Sequence, residues 1–245
     1  MNHKTSHPHS IDTTDGVGDG PDAIDVRYFK KDFWSTENPK YGAPHYRLRK
    51  SARVANKIAR GRDCSLLDVG CGPAALRGLL TPNIQYHGID ISIPDPAPDL
   101  VEADILQSPI AVGDRRFDIV VAQGLFEYLG DFQDEKLAEI SGLLKDDGTF
   151  LVSYVNFGHR AREVYWPYNN VQSFDEFRQG LLRHFRIQTF FPTSHNWNHS
   201  EPNRKWLAAT NMRLNVNIPF ATPRLAVEYF FICSRRDPKI AHIRG

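Results

Sequence analysis

Short apolar runs alternate with amphipathic stretches along most of this 245-residue chain. Residues 65–69, 84–91, 100–103, 117–122 and 150–155 are runs of this kind, bounded by Gly, Pro, Asp or Asn, and each predicts a strand. The run 117–122 reads as a strand buried on both faces. Between the runs the period changes. Leu48, Ala52, Ala55 and Ala59 fall on one helical face and predict a helix over 46–60, with Gly61 as its stop. Leu76, Leu79 and Leu80 predict a helix over 74–80, ended by Thr81-Pro82. Asp131 is placed to cap a helix running to Leu144, with Gly148 closing it, and Ser173 to cap one over 174–184. Two last strands follow, at 186–191 and 227–234. This alternation predicts an α/β fold, a Rossmann-like and mostly parallel sheet with helices on both faces.

Three segments stand apart. Residues 1–25 hold five Asp and three Gly with almost no large apolar group, so they cannot bury enough surface to offset ordering entropy and are expected to be disordered. Residues 26–63 open with Tyr28, Phe29, Phe33, Trp34 and Tyr41 and are expected to form a helical, aromatic cap. Residues 192–225 are too long for a plain loop and form an expected insertion near the substrate side of a domain spanning 64–245.

Charge adds little at first. Thirty basic against 29 acidic residues give +1. The tail's five Asp against one Lys amount to −4, which leaves +5 on the rest. That mild excess suits an anionic small substrate and falls short of a nucleic-acid footprint. The chain shows neither an apolar run long enough to span a bilayer nor the apolar core of a signal peptide. Three scattered cysteines form no disulfide framework and fit a reducing cytoplasm. No metal-ligand spacing appears; His3, His7 and His9 lie in the tail, where nothing rigid fixes them.

The candidate chemistry centres on Leu66-Leu67-Asp68-Val69-Gly70-Cys71-Gly72-Pro73-Ala74, a strand running into a glycine turn. In parallel sheets, ligands bind beyond the carboxyl ends of strands, and glycines let backbone approach them. The turn also fits the dinucleotide pattern G-x-G-x-x-A, so a nicotinamide enzyme is one alternative. The acids argue otherwise. Asp68 would repel a pyrophosphate and suit an ammonium group. Asp90, closing the second strand, is positioned to accept from ribose hydroxyls. Asp104, after the third, would accept from an adenine amine. Together they describe an adenosine without phosphates and with a cationic amino-acid tail.

With these motifs the chain resembles the class I S-adenosylmethionine-dependent methyltransferases, strongly over about 65–155. The motifs are Leu67-Asp68-Val69-Gly70-Cys71-Gly72, Gly88-Ile89-Asp90, Ala103-Asp104-Ile105, the segment from Phe117 to Tyr128, and Leu143 to Leu151. Ala74 stands where the family commonly has a third glycine. The resemblance implies a seven-stranded sheet with an inserted antiparallel last strand. It also implies S-adenosylmethionine as methyl donor, with Asp68, Gly70, Cys71, Gly72, Asp90, Ile91, Asp104, Ile105 and Gln123 around it. The expected acceptor is a small molecule, a metabolite or natural-product intermediate, methylated on oxygen or nitrogen, with carbon a further option. No nucleic acid or membrane partner is expected. Glu127, after the fourth strand, and His159, after the fifth, are the candidate catalytic bases, ahead of His195 and His45. Arg47 or Arg49 is a candidate partner for the donor's carboxylate. A non-catalytic module that keeps the donor pocket is the remaining alternative.

Overall fold

The computed structural model describes residues 46–155, 173–195 and 226–236. Helix α1 spans Tyr46–Ile58 and is followed by strand β1, Cys64–Val69. Then come β2 (Ile84–Asp90), β3 (Leu100–Glu102), β4 (Phe117–Ala122), α2 (Gln133–Leu143), β5 (Leu144–Val155), α3 (Phe174–His184), β6 (Phe185–His195) and β7 (Ala226–Arg235).

The strands form one sheet in the order β3-β2-β1-β4-β5-β7-β6. Pairing is parallel from β3 to β5. Strand β7 runs antiparallel between β5 and β6, as the resemblance implies. Period-2 alternation assigns the two faces. Leu66, Ile119, Val121, Leu151 and Phe230 face α1, whose Ala52, Ala55 and Ala59 permit close approach. Leu67, Val120, Phe150, Val152 and Phe231 face α2 and α3 through Leu137, Ile140, Phe177 and Leu181. Tyr154 stacks on Phe177 with ring centroids 3.9 Å apart.

Helix α3 begins at a full capping box: Ser173 Oγ accepts from the Glu176 N–H, and the Glu176 carboxylate accepts from the Ser173 N–H. Gly61, at φ +76°, follows α1 as its spacing predicts.

Three expectations are corrected. Residues 74–80 form a turn and a single 3-10 turn, Arg77–Leu79, where the apolar spacing predicts a helix. Ala74 sits at φ +52° and Gly78 lies within the segment, so the α-helical ladder cannot propagate. Asp131 does not cap α2. Two 3-10 turns, Phe126–Tyr128 and Gly130–Phe132, run into α2, and no side chain caps its first turn. Nor does Gly148 stop that helix: it lies in β5, which starts directly at Leu144. The register shift between Phe117↔Leu144 and Ile119↔Thr149 lets residues 145–148 bulge out. Among the described residues, no helix is long and apolar enough to cross a membrane, and no group of His, Cys, Asp and Glu could hold a metal ion.

Candidate active site

The site begins where β1, at the centre of the parallel part of the sheet, ends. The N–H groups of Gly70 and Cys71 both donate to the Ile89 carbonyl, at 2.8 and 3.2 Å, which draws the turn onto the end of β2. Gly70 and Gly72 lie at φ +73° and +52°, a region L side chains rarely adopt. A Cβ on Gly72 would meet nothing within 4 Å, so the turn faces open space there. Gly72 N–H donates to Asp90 Oδ2 at 2.8 Å, and Ser92 N–H to Oδ1 at 3.2 Å. Burial pushes the Asp90 carboxyl up, and these amide bonds oppose that.

Asp68 is placed deeper than an ammonium ligand position requires. It is 2% exposed, and Tyr86 donates its hydroxyl to Oδ2 at 2.9 Å. Burial pushes the Asp68 carboxyl up to about 7, although the Tyr86 bond opposes the shift. Cys71 is also buried, which raises its thiol far above the ordinary range. Gly88 lets these groups converge, since a Cβ there would lie 2.7 Å from Leu100 Cδ2 and 2.9 Å from Cys71 Sγ.

The next two strand ends lie beside this turn. Ala103 N–H donates to the Asp90 carbonyl at 2.8 Å. Asp104 Oδ1 accepts from Leu106 N–H at 2.9 Å, forming a tight turn, while Ile105 packs into the core. Ile91 is half-buried next to Asp90. Gln123 donates Nε2 to the Leu151 carbonyl at 3.2 Å, and its buried Oε1 has no hydrogen-bond partner. The structure thus brings Asp68, Gly70, Cys71, Gly72, Asp90, Ile91, Asp104, Ile105 and Gln123 to the carboxyl ends of β1 to β4.

On the other side of Gln123 lies a group of charges. Glu127 is 2% exposed, and its Oε2 has no hydrogen-bond partner. Burial, reinforced by the charge of Glu228, lifts its carboxyl to about 7 against the opposing pull of Arg47. Arg47 Nη1 bonds Glu228 Oε1 at 3.2 Å. The guanidinium also packs on Gly124, leaving no room there for a Cβ. Gly124 N–H donates to Ser153 Oγ at 3.0 Å. Sequence reasoning offers Arg47 or Arg49 as a candidate for the donor carboxylate; the structure pairs Arg47 with Glu228, which sequence reasoning missed. The signal was present, since an acid in the apolar run Ala226-Val227-Glu228-Tyr229-Phe230-Phe231 needs a buried partner. His159 and His45 lie outside the described residues, and of His195 only the backbone, at the end of β6, is described.

The residues present fit an adenosyl donor. There is open space over Gly72, an anchored carboxylate at the end of β2, and an unpaired acceptor on Gln123. Two acids at the turn oppose a pyrophosphate.

Comparison with known proteins agrees with this geometry. By sequence, no curated protein matches the chain at a significant level. Among solved structures it is similar to a TehB-like S-adenosylmethionine-dependent methyltransferase from Corynebacterium glutamicum (TM-score 0.57, 15% identity, covering 86% of this chain and 99% of that one). It is also similar to the N-methyltransferase NodS from Bradyrhizobium japonicum, bound to S-adenosylhomocysteine (TM-score 0.57, 12% identity, 88% and 100% covered). A third is the Burkholderia thailandensis 1,6-didemethyltoxoflavin-N1-methyltransferase, with 1,6-didemethyltoxoflavin and S-adenosylhomocysteine bound (TM-score 0.57, 17% identity, 95% and 100% covered). Residues 43–198 match the family described as the methyltransferase domain. The chain therefore belongs to the methyltransferase domain family and is an enzyme of its S-adenosylmethionine-dependent class.

Proposed function

We propose that this enzyme moves the methyl group of S-adenosylmethionine to a nitrogen or oxygen atom of a small molecule, a metabolite or natural-product intermediate, by in-line displacement. The donor supplies an already activated methyl group. The chain's own residues then have to bind, orient and exclude water. Asp90 takes the ribose hydroxyls and Asp104 with Ile105 the adenine. Gly70, Cys71 and Gly72 give backbone access to the amino-acid end, with Asp68 beneath them, and Ile91 and Gln123 flank the nucleoside.

Glu127 is the proposed base on the acceptor side. A buried carboxylate oxygen without a partner, on the loop directly after β4, carries this reading. A carboxyl titrating near 7 is matched to taking a proton at neutral pH. NodS and the toxoflavin enzyme methylate nitrogen, which supports a nitrogen or oxygen acceptor of modest size. His159 remains the second proposed base. Residues 26–63 and 192–225 are the proposed cap and insertion that shape the acceptor pocket, and the cytoplasm is the proposed compartment.

Calorimetry with S-adenosylhomocysteine and with NAD tests the donor half. The former is expected to bind and NAD is not. Asp90→Ala should weaken S-adenosylhomocysteine at least about tenfold, the loss of hydrogen bonds to a charged group. An unchanged affinity would remove Asp90 from the ribose. Labelled donor with a panel of matched amines, phenols and acids then tests the acceptor half.

A further inference from the structure

Lys136 is a buried charge that the chemistry above does not use. It lies in the first turn of α2 and is 2% exposed. A buried ammonium is expensive unless paired, so its partners show what its burial holds in place. Nζ bonds Glu139 Oε2 at 3.0 Å and Glu135 Oε1 at 3.1 Å, and donates to the Ser108 carbonyl at 3.4 Å. Glu139 in turn accepts the Ile110 N–H on Oε1. Two charged side chains of α2 therefore grip the backbone of residues 108–110.

That backbone continues directly from the Asp104 turn. The Asp104 carbonyl accepts from Gln107 N–H and Ser108 Oγ, each at 3.2 Å. Any slack at 108–110 therefore reaches Asp104 within one turn of chain. The same helix acts at its start on the other half of the site. Gln133 donates Nε2 to the Phe126 carbonyl at 2.9 Å and to the Tyr154 hydroxyl at 3.3 Å, next to Glu127.

We infer that α2 is a brace that spaces the two binding loops, with Lys136 and Glu139 as positioning residues that hold the segment from Asp104 to Ile110 in its donor-binding form. Neither side chain needs to touch the donor. The inference rests on the proposed placement of adenine at Asp104 and Ile105.

The test measures S-adenosylhomocysteine affinity by calorimetry, the exchange rate of the Ile110 amide, and the urea midpoint, on the full chain. Glu139→Ala removes the grip on Ile110 and one of the two carboxylates that hold Lys136 on the Ser108 carbonyl. It should weaken S-adenosylhomocysteine about tenfold, the worth of one charge-assisted hydrogen bond, and deprotect the Ile110 amide. Glu139→Gln keeps an acceptor for Ile110 but not the ion pair, and should recover part of that affinity. Lys136→Met, which fills the same volume without charge, is the second variant should Glu139→Ala fail to fold, and loses affinity in the same sense. Arg183→Ala breaks an exposed pair with Asp134 between α3 and α2 and should leave affinity unchanged. If Glu139→Ala and Lys136→Met lower the midpoint but bind as the parent does, while Asp104→Ala binds poorly, the brace is refuted and the donor placement stands. If Asp104→Ala also binds normally, the donor placement fails and takes the inference with it.

Discussion

Ala74 holds a left-handed backbone, φ +52°, two residues after Gly72 at the same φ. An L side chain in that region costs about 1–2 kcal/mol, because Cβ crowds the following carbonyl. Glycine would relieve the crowding but loses more entropy on folding, about 0.5–1 kcal/mol. It would also give up a methyl that is 6% exposed. Ala74→Gly is therefore expected to shift stability by no more than about 1 kcal/mol, in the stabilising direction, read as a higher urea midpoint at unchanged slope. A clear fall would mean that the methyl's packing outweighs its strain. At this scale the sequence was readable wherever chemistry and position coincide. Asp90 closes the strand beside the glycine turn, and its proposed role at the ribose is read from that place. The left-handed angle at Ala74 and the pairing of Arg47 with Glu228, 181 residues away, have no local signature.

Elements were legible where a face or a cap decides them. Ser173 caps α3 as its place in the sequence predicts, and the structure adds Glu176 as the second half of a capping box. Ser173→Ala should cost about 1 kcal/mol, measured as a lower thermal midpoint, with donor affinity unaffected. A midpoint within error of the parent would show that packing of Phe177 and Leu181 alone holds α3. The segment 74–80 misled because three leucines at helical spacing also suit a turn that drops Leu76 into the core, where it is 0% exposed. Tertiary packing and the turn's backbone angles overrode the period. The start of α2 was misplaced for a similar reason: 3-10 turns carry apolar residues into the core without a cap.

Buried acids give the whole molecule a pH dependence, Asp68 and Glu127 with the largest shifts and Asp90 in the same direction. Asp68 and Glu127 are each raised to about 7 by burial. A carboxyl with a raised folded pKa binds its proton more tightly when folded. Its stabilisation is complete below the unfolded value and disappears as pH climbs through the folded one. Stability is therefore expected to decline from about pH 4 to about pH 7, by on the order of 3–4 kcal/mol for each acid. Glu127→Gln cannot ionise and should flatten its share of the decline in thermal midpoints taken across that range. A slope identical to the parent's would show that Glu127 titrates normally. Methylation by a Glu127 base would rise over the same interval, so activity and stability would move in opposite directions. The mostly parallel sheet with its inserted antiparallel last strand was legible through the resemblance that the motif order carries. The acceptor's identity was not, because the residues that would choose it are drawn from distant parts of the chain.

Strand β6 has a single neighbour, β7, and β5 has only β7 on its outer side. Both pairings wait for residues 226–235, the last strand in chain order. During synthesis, the edge of β5, with Phe150, Leu151 and Val152, emerges long before the strand that covers it. A nascent chain halted short of residue 226 would hold the donor-side strands in register and still expose that apolar edge. For this topology, the stretch of translation between β5 and β7 is the interval in which a chaperone would find that edge uncovered.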